Sequence, residues 1–231
     1  MRWYTVIVLC GLLSAIMISA RPPKVHPRAP AAGYPASTAA AKAIKDAKKW
    51  TVLISQEGWG QRGRGTGVLL DPTHVLTCSH VMEGDNDKTL VYFYPGYITA
   101  HGRQVYADLS KDLAIVEIDV PAWAATYAGF TTVHYDGEPV TVIGNALGSL
   151  EWFVSYGTLG GENSRDLLAS GVMYHGDSGG PWIDSYGRIV AITDWGIESN
   201  DGSDSAVYGG IASHTVYDFL VAYKKTLKGH K

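Results

Sequence analysis

The sequence predicts an all-β domain over residues 50–225 that ends in a helix. From Trp50 onward, short runs rich in Val, Ile, Thr, Tyr and Trp alternate with glycines and Asp or Asn clusters, which is typical of strands and turns. Hydrophobic residues make up 46% of the 231 residues, which is sufficient for a folded core. A helical spacing of apolar residues appears only near the end of the chain. Closely spaced short strands favour a barrel or a sandwich.

Each element follows from its local pattern. The helix is predicted at residues 214–227, because Val216, Phe219, Leu220 and Tyr223 fall on one helical face and lysines occupy the last turns. Residues 39–50 hold strong helix formers and four lysines, and are predicted to be either a short helix or a solvated basic segment. The predicted strands are residues 50–55, 65–71, 74–80, 90–94, 112–118, 140–144, 152–160, 180–185 and 188–193.

The residues before the domain differ from it in composition. Residues 1–20 carry one arginine and a long apolar run without acids, and they end in small residues, which is typical of an export signal. The apolar run 3–20 is also just long enough to span a bilayer, so an uncleaved membrane anchor is the alternative. Either way we expect an exported protein, secreted, periplasmic or membrane-anchored. Residues 21–49 are predicted to be an Ala/Pro-rich and basic linker, and residues 226–231 a tail.

Charge and cysteine content argue against several functions. The formal net charge of −3 lacks the basic surplus of a nucleic-acid binder. Only Cys10 and Cys78 are present, so removal of residues 1–20 would exclude an intramolecular disulfide. Cys78 lies in an apolar run and is predicted to be a small core residue or, alternatively, a redox switch. His74 and His80 lack any H-E-x-x-H or cysteine-pair context, so we expect no metal and no cofactor.

The segment GDSGGP, residues 176–181, is the most informative motif. A nucleophilic serine needs its hydroxyl on a tight turn, with glycines that let backbone N–H groups converge on the oxygen of the attacked carbonyl. The same letters also occur in ordinary glycine-rich turns, so the motif needs partners elsewhere. His80 ends a β-rich run, and Asp112 opens the apolar run 112–118. An imidazole that takes the proton of Ser178 and a carboxylate that orients the imidazole complete a catalytic triad.

With these residues the chain resembles the chymotrypsin-like serine peptidases, and most closely the protease domain of the Do-like, high-temperature-requirement branch. The resemblance covers roughly residues 50–222 and implies two six-stranded antiparallel barrels with the triad His80, Asp112 and Ser178 at their junction. It also implies protein or peptide substrates. The matching segments are LTCSHV, DLAIVEI, IGNALGS, YGTLGG, GDSGGPWI, TDWG and AVYGGI.

The resemblance assigns further residues by position. The backbone N–H groups of Gly176 and Ser178 are implied to form the oxyanion hole. The base of the pocket for the residue before the cleaved bond (P1) falls on Val172, with Met173 next to it, while Trp195 and Gly196 lie where the substrate backbone binds. Because neither pocket residue is charged, we expect a small or medium apolar P1 residue.

Three features depart from these families. The chain lacks the Arg/Lys-Ile-Val-Gly-Gly activation junction of digestive proteases, so Asp177 has no such N-terminal partner and needs a cation or several donors if it is buried. Do-like enzymes usually have Asn there and continue into PDZ modules, which we do not expect here. Asp194 stands where relatives often have a serine close to the triad aspartate, and two neighbouring carboxyl groups would raise the pKa of one of them.

Two other functions have to be weighed. GDSGG also satisfies the G-x-S-x-G elbow of α/β-hydrolases, with Ser178 as nucleophile and His214 as base. That fold needs parallel strands alternating with helices, which the β-rich pattern does not favour. The second alternative is a catalytically silent, protease-like binding module, against which the complete triad argues.

Overall fold

The structure, a computed structural model, describes residues 38–56, 64–84, 88–96, 98–119, 127–171, 173–198 and 206–228. The predictions for residues 1–20 and for the first part of the linker lie outside these residues, so export and membrane tethering stay predictions. No helix in the described part of the chain is both long and apolar enough to cross a bilayer.

The first six strands close into a barrel in the order β1-β2-β3-β6-β5-β4, with every neighbour antiparallel. A short 3-10 turn, η1 (Ser79–Met82), follows the third strand and carries His80. The strands are β1 (Thr51–Gln56), β2 (Arg64–Asp71), β3 (His74–Cys78), β4 (Thr89–Phe93), β5 (Ile98–Asp108) and β6 (Leu113–Ile118).

The next six strands close into a second barrel in the order β10-β11-β12-β9-β8-β7, again with antiparallel neighbours. The predicted pair of six-stranded antiparallel barrels is therefore confirmed. This topology also excludes the α/β-hydrolase fold, which needs a parallel sheet. The strands are β7 (Pro139–Ala146), β8 (Leu150–Glu162), β9 (Asp166–Gly171), β10 (Pro181–Ile183), β11 (Ile189–Glu198) and β12 (Ala206–Ala212).

Two helices flank the barrels. Residues 38–50 form α1 (Thr38–Trp50), which buries Ala47 and Trp50, so the helical alternative for this basic segment is the right one. The predicted C-terminal helix is α2 (Ser213–Lys228), which ends three residues beyond the predicted domain limit at residue 225. Its Phe219 and Tyr223 lie 5.2 Å and 5.3 Å, centroid to centroid, from the ring of Tyr106 in β5. Because α2 follows the second barrel and packs on the first, it holds the two together.

Two strands, β5 and β9, were not predicted, and β12 was recognised only as a matching segment. The glycines of β12 are needed for packing. A Cβ at Gly209 would lie 2.1 Å from the indole ring of Trp195 on the neighbouring strand, so only glycine fits beneath that ring. Trp152 and Trp182 are buried core residues, 3% and 0% exposed.

Candidate active site

The three predicted triad residues come from separate turns at the junction of the barrels. His80 lies in η1, Asp112 in the turn before β6, and Ser178 in the turn before β10. Asp112 was predicted to open a strand, but β6 begins one residue later, and Asp112 itself has a positive φ of 54°. A backbone hydrogen bond of 2.9 Å from the N–H of Thr66 to the carbonyl oxygen of Ser178 joins the two barrels beside the nucleophile.

His80 and Asp112 are in direct contact. The His80 Nδ1 to Asp112 Oδ2 distance is 2.5 Å, and Asp112 Oδ1 accepts hydrogen bonds from the His80 N–H at 3.0 Å and the Ser79 hydroxyl at 2.5 Å. Burial acts to raise the pKa of Asp112, but hydrogen bonds from His80 and Ser79 hold that pKa well below its ordinary value. Burial would lower the pKa of His80, and the hydrogen bond and charge of Asp112 raise it overall. An ionised carboxylate thus orients the imidazole.

The hydroxyl of Ser178 is partly buried and donates a long hydrogen bond, 3.4 Å, to the carbonyl oxygen of Asp194. Within the described residues no hydrogen bond joins it to His80. Catalytic hydrogen bonds often tighten only in the substrate complex, so a change of hydroxyl orientation is required to bring Ser178 and the imidazole together.

The turn around Ser178 presents two N–H groups that the described residues leave without an acceptor, those of Gly176 and Ser178. The carbonyl oxygen of His175 accepts a 2.6 Å hydrogen bond from the N–H of Leu147, and in a trans peptide the following N–H of Gly176 points the opposite way. Gly176 has a φ of 96°, and a Cβ there would lie 2.2 Å from the carbonyl oxygen of Asn145. This geometry is what an oxyanion hole needs.

Thr66 of β2 fixes this turn, a role that its sequence context does not reveal. Its buried hydroxyl donates to the carbonyl oxygen of Gly176 at 2.7 Å and accepts from the N–H of Asn145 at 3.0 Å. Together with the bond from its N–H to the Ser178 carbonyl, Thr66 holds the residues on both sides of Asp177. The first barrel therefore positions the nucleophile of the second.

Asp177, inside the motif, is 1% exposed. Its Oδ2 accepts a 2.9 Å hydrogen bond from the N–H of Tyr174, while its Oδ1 has no hydrogen-bond partner in the described part of the chain. Burial raises the pKa of Asp177 to about 7, and the Tyr174 bond offsets only part of this. The sequence predicted that a buried Asp177 needs a cation or several donors, but the described residues supply one N–H donor and no cation, so the carboxyl group is neutral below about pH 7.

Asp194 lies beside the triad carboxylate, as its position suggested. One of its carboxylate oxygens lies within 4.8 Å of one of Asp112, and burial, followed by the neighbouring Asp112, raises the pKa of Asp194 to about 7. Arg165, in the turn between β8 and β9, donates to Asp194 Oδ2 at 2.5 Å and to Asp166 Oδ1 at 2.8 Å. Sequence reasoning missed Arg165, because it lies 29 residues before Asp194 and no motif links the two.

The predicted substrate-binding residues fare differently. Val172 lies outside the described residues. Met173 is 5% exposed and packs within the core of the second barrel. In β11, Trp195 is half-buried and Gly196 is exposed, and the Trp195 indole N–H donates to Asp166 Oδ2 at 3.3 Å. A Cβ at Gly196 would lie 2.7 Å from the ring of Tyr208, so this ring fills the space beside Gly196.

The remaining candidate residues have structural partners. The Cys78 thiol is fully buried and donates to the carbonyl oxygen of Thr193 at 3.1 Å, and burial raises its pKa well above the ordinary value, which counts against a redox switch. His74 Nδ1 lies 2.9 Å from both oxygens of Asp71. His214 contacts Glu162 at 3.4 Å and the Ser164 carbonyl oxygen at 3.3 Å.

Ligand-type atoms of four residues near the triad lie within 4.8 Å of one another. Their polar atoms already bond to protein groups: His80 to Asp112, Asp194 to Arg165, and the cysteine thiol to a carbonyl oxygen. A hydrogen-bonded acid–base array explains the cluster, and the expectation of no metal stays a prediction. The four residues are Cys78, His80, Asp112 and Asp194.

Comparisons with known proteins point the same way. The family model described as a trypsin-like peptidase domain matches residues 65–192. The serine protease Do-like HtrA of Bacillus subtilis is 27% identical over 160 residues, 61% of this chain and 35% of the relative. The chloroplastic protease Do-like 1 of Arabidopsis thaliana is 28% identical over 185 residues, 72% of this chain and 41% of the relative. The chain thus spans less than half of each relative's length.

The crystal structure of the serine endoprotease from Yersinia pestis superposes on this chain with a TM-score of 0.66. The two are 21% identical, and the match covers 80% of this chain and 66% of the other. At this level of identity the match supports the fold, which is the double barrel described above.

Proposed function

This chain belongs to the family of trypsin-like peptidase domains and is a serine peptidase, and on that premise we propose an endopeptidase with Ser178 as nucleophile, His80 as general base and Asp112 as its orienting carboxylate. The observation that carries the proposal is the 2.5 Å contact between His80 Nδ1 and Asp112 at the junction of the barrels. The unpartnered N–H groups of Gly176 and Ser178 support it from the other side of the site.

The residues suit acyl transfer. Ser178 Oγ attacks the carbonyl carbon of the peptide bond while His80 takes the hydroxyl proton at Nε2, because Nδ1 is held by Asp112. The N–H groups of Gly176 and Ser178 bind the oxyanion, and each such donor contributes about 3 kcal/mol of transition-state stabilisation. His80 then passes the proton to the leaving amine as the C–N bond breaks. Water adds to the acyl-enzyme and loses a proton to His80, which returns it to Ser178 Oγ as the bond between Oγ and the acyl carbon breaks and the carboxylic acid leaves.

Specificity for an apolar P1 residue is part of the same proposal. Met173 is apolar and buried, and the ring of Tyr208 occupies the space beside Gly196 in the strand where relatives bind the substrate backbone. A P1 side chain bound against these groups would meet no charge and an aromatic ring, which suits small or medium apolar side chains best.

Incubation of the protein with an unfolded protein substrate tests both points, because the fragments report cleavage and their new C-termini report the P1 residue. We expect internal fragments that end in Ala, Val, Leu or similar apolar residues, read by mass spectrometry. Ser178→Ala is expected to leave the substrate intact. An Arg, Lys or Glu preference would contradict the pocket assignment, and intact substrate with the unsubstituted protein would favour the silent binding module.

A further inference from the structure

The triad carboxylate has a second carboxyl group behind it. In β11 the register of pairing with β12 shifts between Thr193 and Trp195, so Asp194 is the extra residue of a β-bulge, a feature that redirects side chains near active sites. Its side chain is 7% exposed, one of its carboxylate oxygens lies within 4.8 Å of one of Asp112, and its Oδ2 accepts a 2.5 Å hydrogen bond from Arg165. The second nitrogen of Arg165 is engaged by Asp166, which holds the guanidinium in place.

Two carboxyl groups hydrogen-bond only when one of them carries a proton. Asp112 accepts three hydrogen bonds, from His80 twice and from Ser79, which favour its ionised form. The shared proton therefore belongs to Asp194, whose pKa burial and the neighbouring Asp112 raise to about 7. A neutral Asp194 carries an O–H group and can donate a hydrogen bond to Asp112.

We propose that Asp194 and Arg165 are positioning residues of this peptidase: the Asp194 carboxyl group holds Asp112 by a donated hydrogen bond, and Arg165 holds Asp194 and supplies a cation to the carboxyl pair. The inference rests on the proposed function, because Asp112 matters only if it orients His80. Unlike a serine hydroxyl at position 194, the Asp194 carboxyl group also gains or loses a proton as the pH changes.

The surroundings of Asp194 fix the sign of the effect. A negative charge on Asp194 raises the pKa of His80. Arg165 lowers the pKa of Asp194 and so favours that charge. Removing the carboxyl group should move the acidic limb of the activity profile to lower pH, and removing the guanidinium, which favours the ionised form of Asp194, should move it in the same direction. The charged and titratable groups that face Asp194 are Cys78 of β3, His80 of η1, Asp112 before β6, Arg165 before β9 and Asp166 in β9.

The test measures the rate constant for labelling of Ser178 by a fluorophosphonate probe between pH 5 and 9. For Asp194→Asn, which keeps a donor but no charge, we expect the ratio of rates at pH 6 and pH 8 to rise about threefold. Asp194→Ala, which lacks the donor, is expected to be about tenfold slower than Asp194→Asn at its optimum. Arg165→Gln should also raise the pH 6 to pH 8 ratio, and this effect should disappear in the Asp194→Asn background.

Two controls separate the expected effects of the Asp194 and Arg165 substitutions from a general loss of structure. Arg188→Gln removes a comparable Arg–carboxylate pair, with Asp184 at 2.7 Å, elsewhere in the second barrel, and should leave the pH profile unchanged. A readout without turnover is the low-field NMR signal of the His80 Nδ1 proton in the Ser178→Ala protein, which should titrate at lower pH after Asp194→Asn. Superposable profiles and equal rates for the Asn and Ala variants would overturn the inference. Failure of the unsubstituted protein to label would overturn the proposed function and this inference with it.

Discussion

His80→Ala is expected to lower kcat/KM for peptide cleavage by about 10⁴- to 10⁶-fold. Without the imidazole nothing takes the Ser178 proton, so the hydroxyl remains a weak nucleophile. His214→Ala is the matched control, because His214 also contacts a carboxylate, Glu162, but lies at the start of α2 with its other ring nitrogen bonded to the Ser164 carbonyl oxygen. We expect it to change kcat/KM by less than about twofold. Steady-state kinetics with a peptide substrate measures both.

The opposite pattern would contradict the assignment of the base. A large loss of kcat/KM with His214→Ala and a small one with His80→Ala would mean that His214, and not His80, takes the Ser178 proton. Thermal unfolding of both variants provides the structural control, since each loses one ion pair with a carboxylate and neither is part of the hydrophobic core.

Asp177→Asn is expected to stabilise the protein at neutral and alkaline pH. The ordinary pKa of 3.8 applies to the unfolded chain, and burial raises it to about 7 in the folded protein. Between pH 3.8 and about pH 7 the Asp177 carboxyl group holds a proton in the folded state that it has released in the unfolded state. Its contribution to the free energy of unfolding is therefore complete below about pH 4 and is lost as the pH rises to about 7. The total corresponds to about 4 kcal/mol of unfolding free energy as an upper value.

Urea unfolding at pH 5 and pH 8 measures this effect, best in the Ser178→Ala background, where self-cleavage cannot interfere. Relative to the parent, Asp177→Asn should gain stability between pH 5 and pH 8, because the amide remains neutral at both. Exposed Asp136 offers a matched control, and Asp136→Asn should show no such gain. Equal pH dependence of the parent and the Asp177→Asn protein would mean that the buried carboxyl group has a cationic partner outside the described residues.

The fold could be predicted where burial imposes a simple pattern. Strands such as β6, buried at Leu113, Ala114, Ile115 and Val116, appear in the sequence as apolar runs between turn residues. β5 could not be recognised in this way, because it is only partly buried and mixes polar and apolar residues without strict alternation. The pairing of strands into two separate barrels came from the family resemblance, since composition and periodicity carry no record of it.

The residues of the candidate site also differ in how far they could be predicted from local sequence. His80, Asp112 and Ser178 could be predicted because each lies in a short motif with its own local chemistry. Thr66 and Arg165 could not, because they act through contacts between distant parts of the chain: Thr66 and Gly176 are 110 residues apart. The proximity of Asp194 to Asp112 was foreseen from position, but the pairing of Asp194 with Arg165 depends on the three-dimensional arrangement.

The central claim is that Ser178 is the nucleophile of a serine peptidase, and a fluorophosphonate adduct tests it most directly. Reaction of the folded protein with the probe, followed by intact-mass measurement and peptide mapping, should show one equivalent bound to Ser178 and none on Ser178→Ala. The absence of an adduct on the folded protein, or an adduct on another residue that persists in Ser178→Ala, would contradict it.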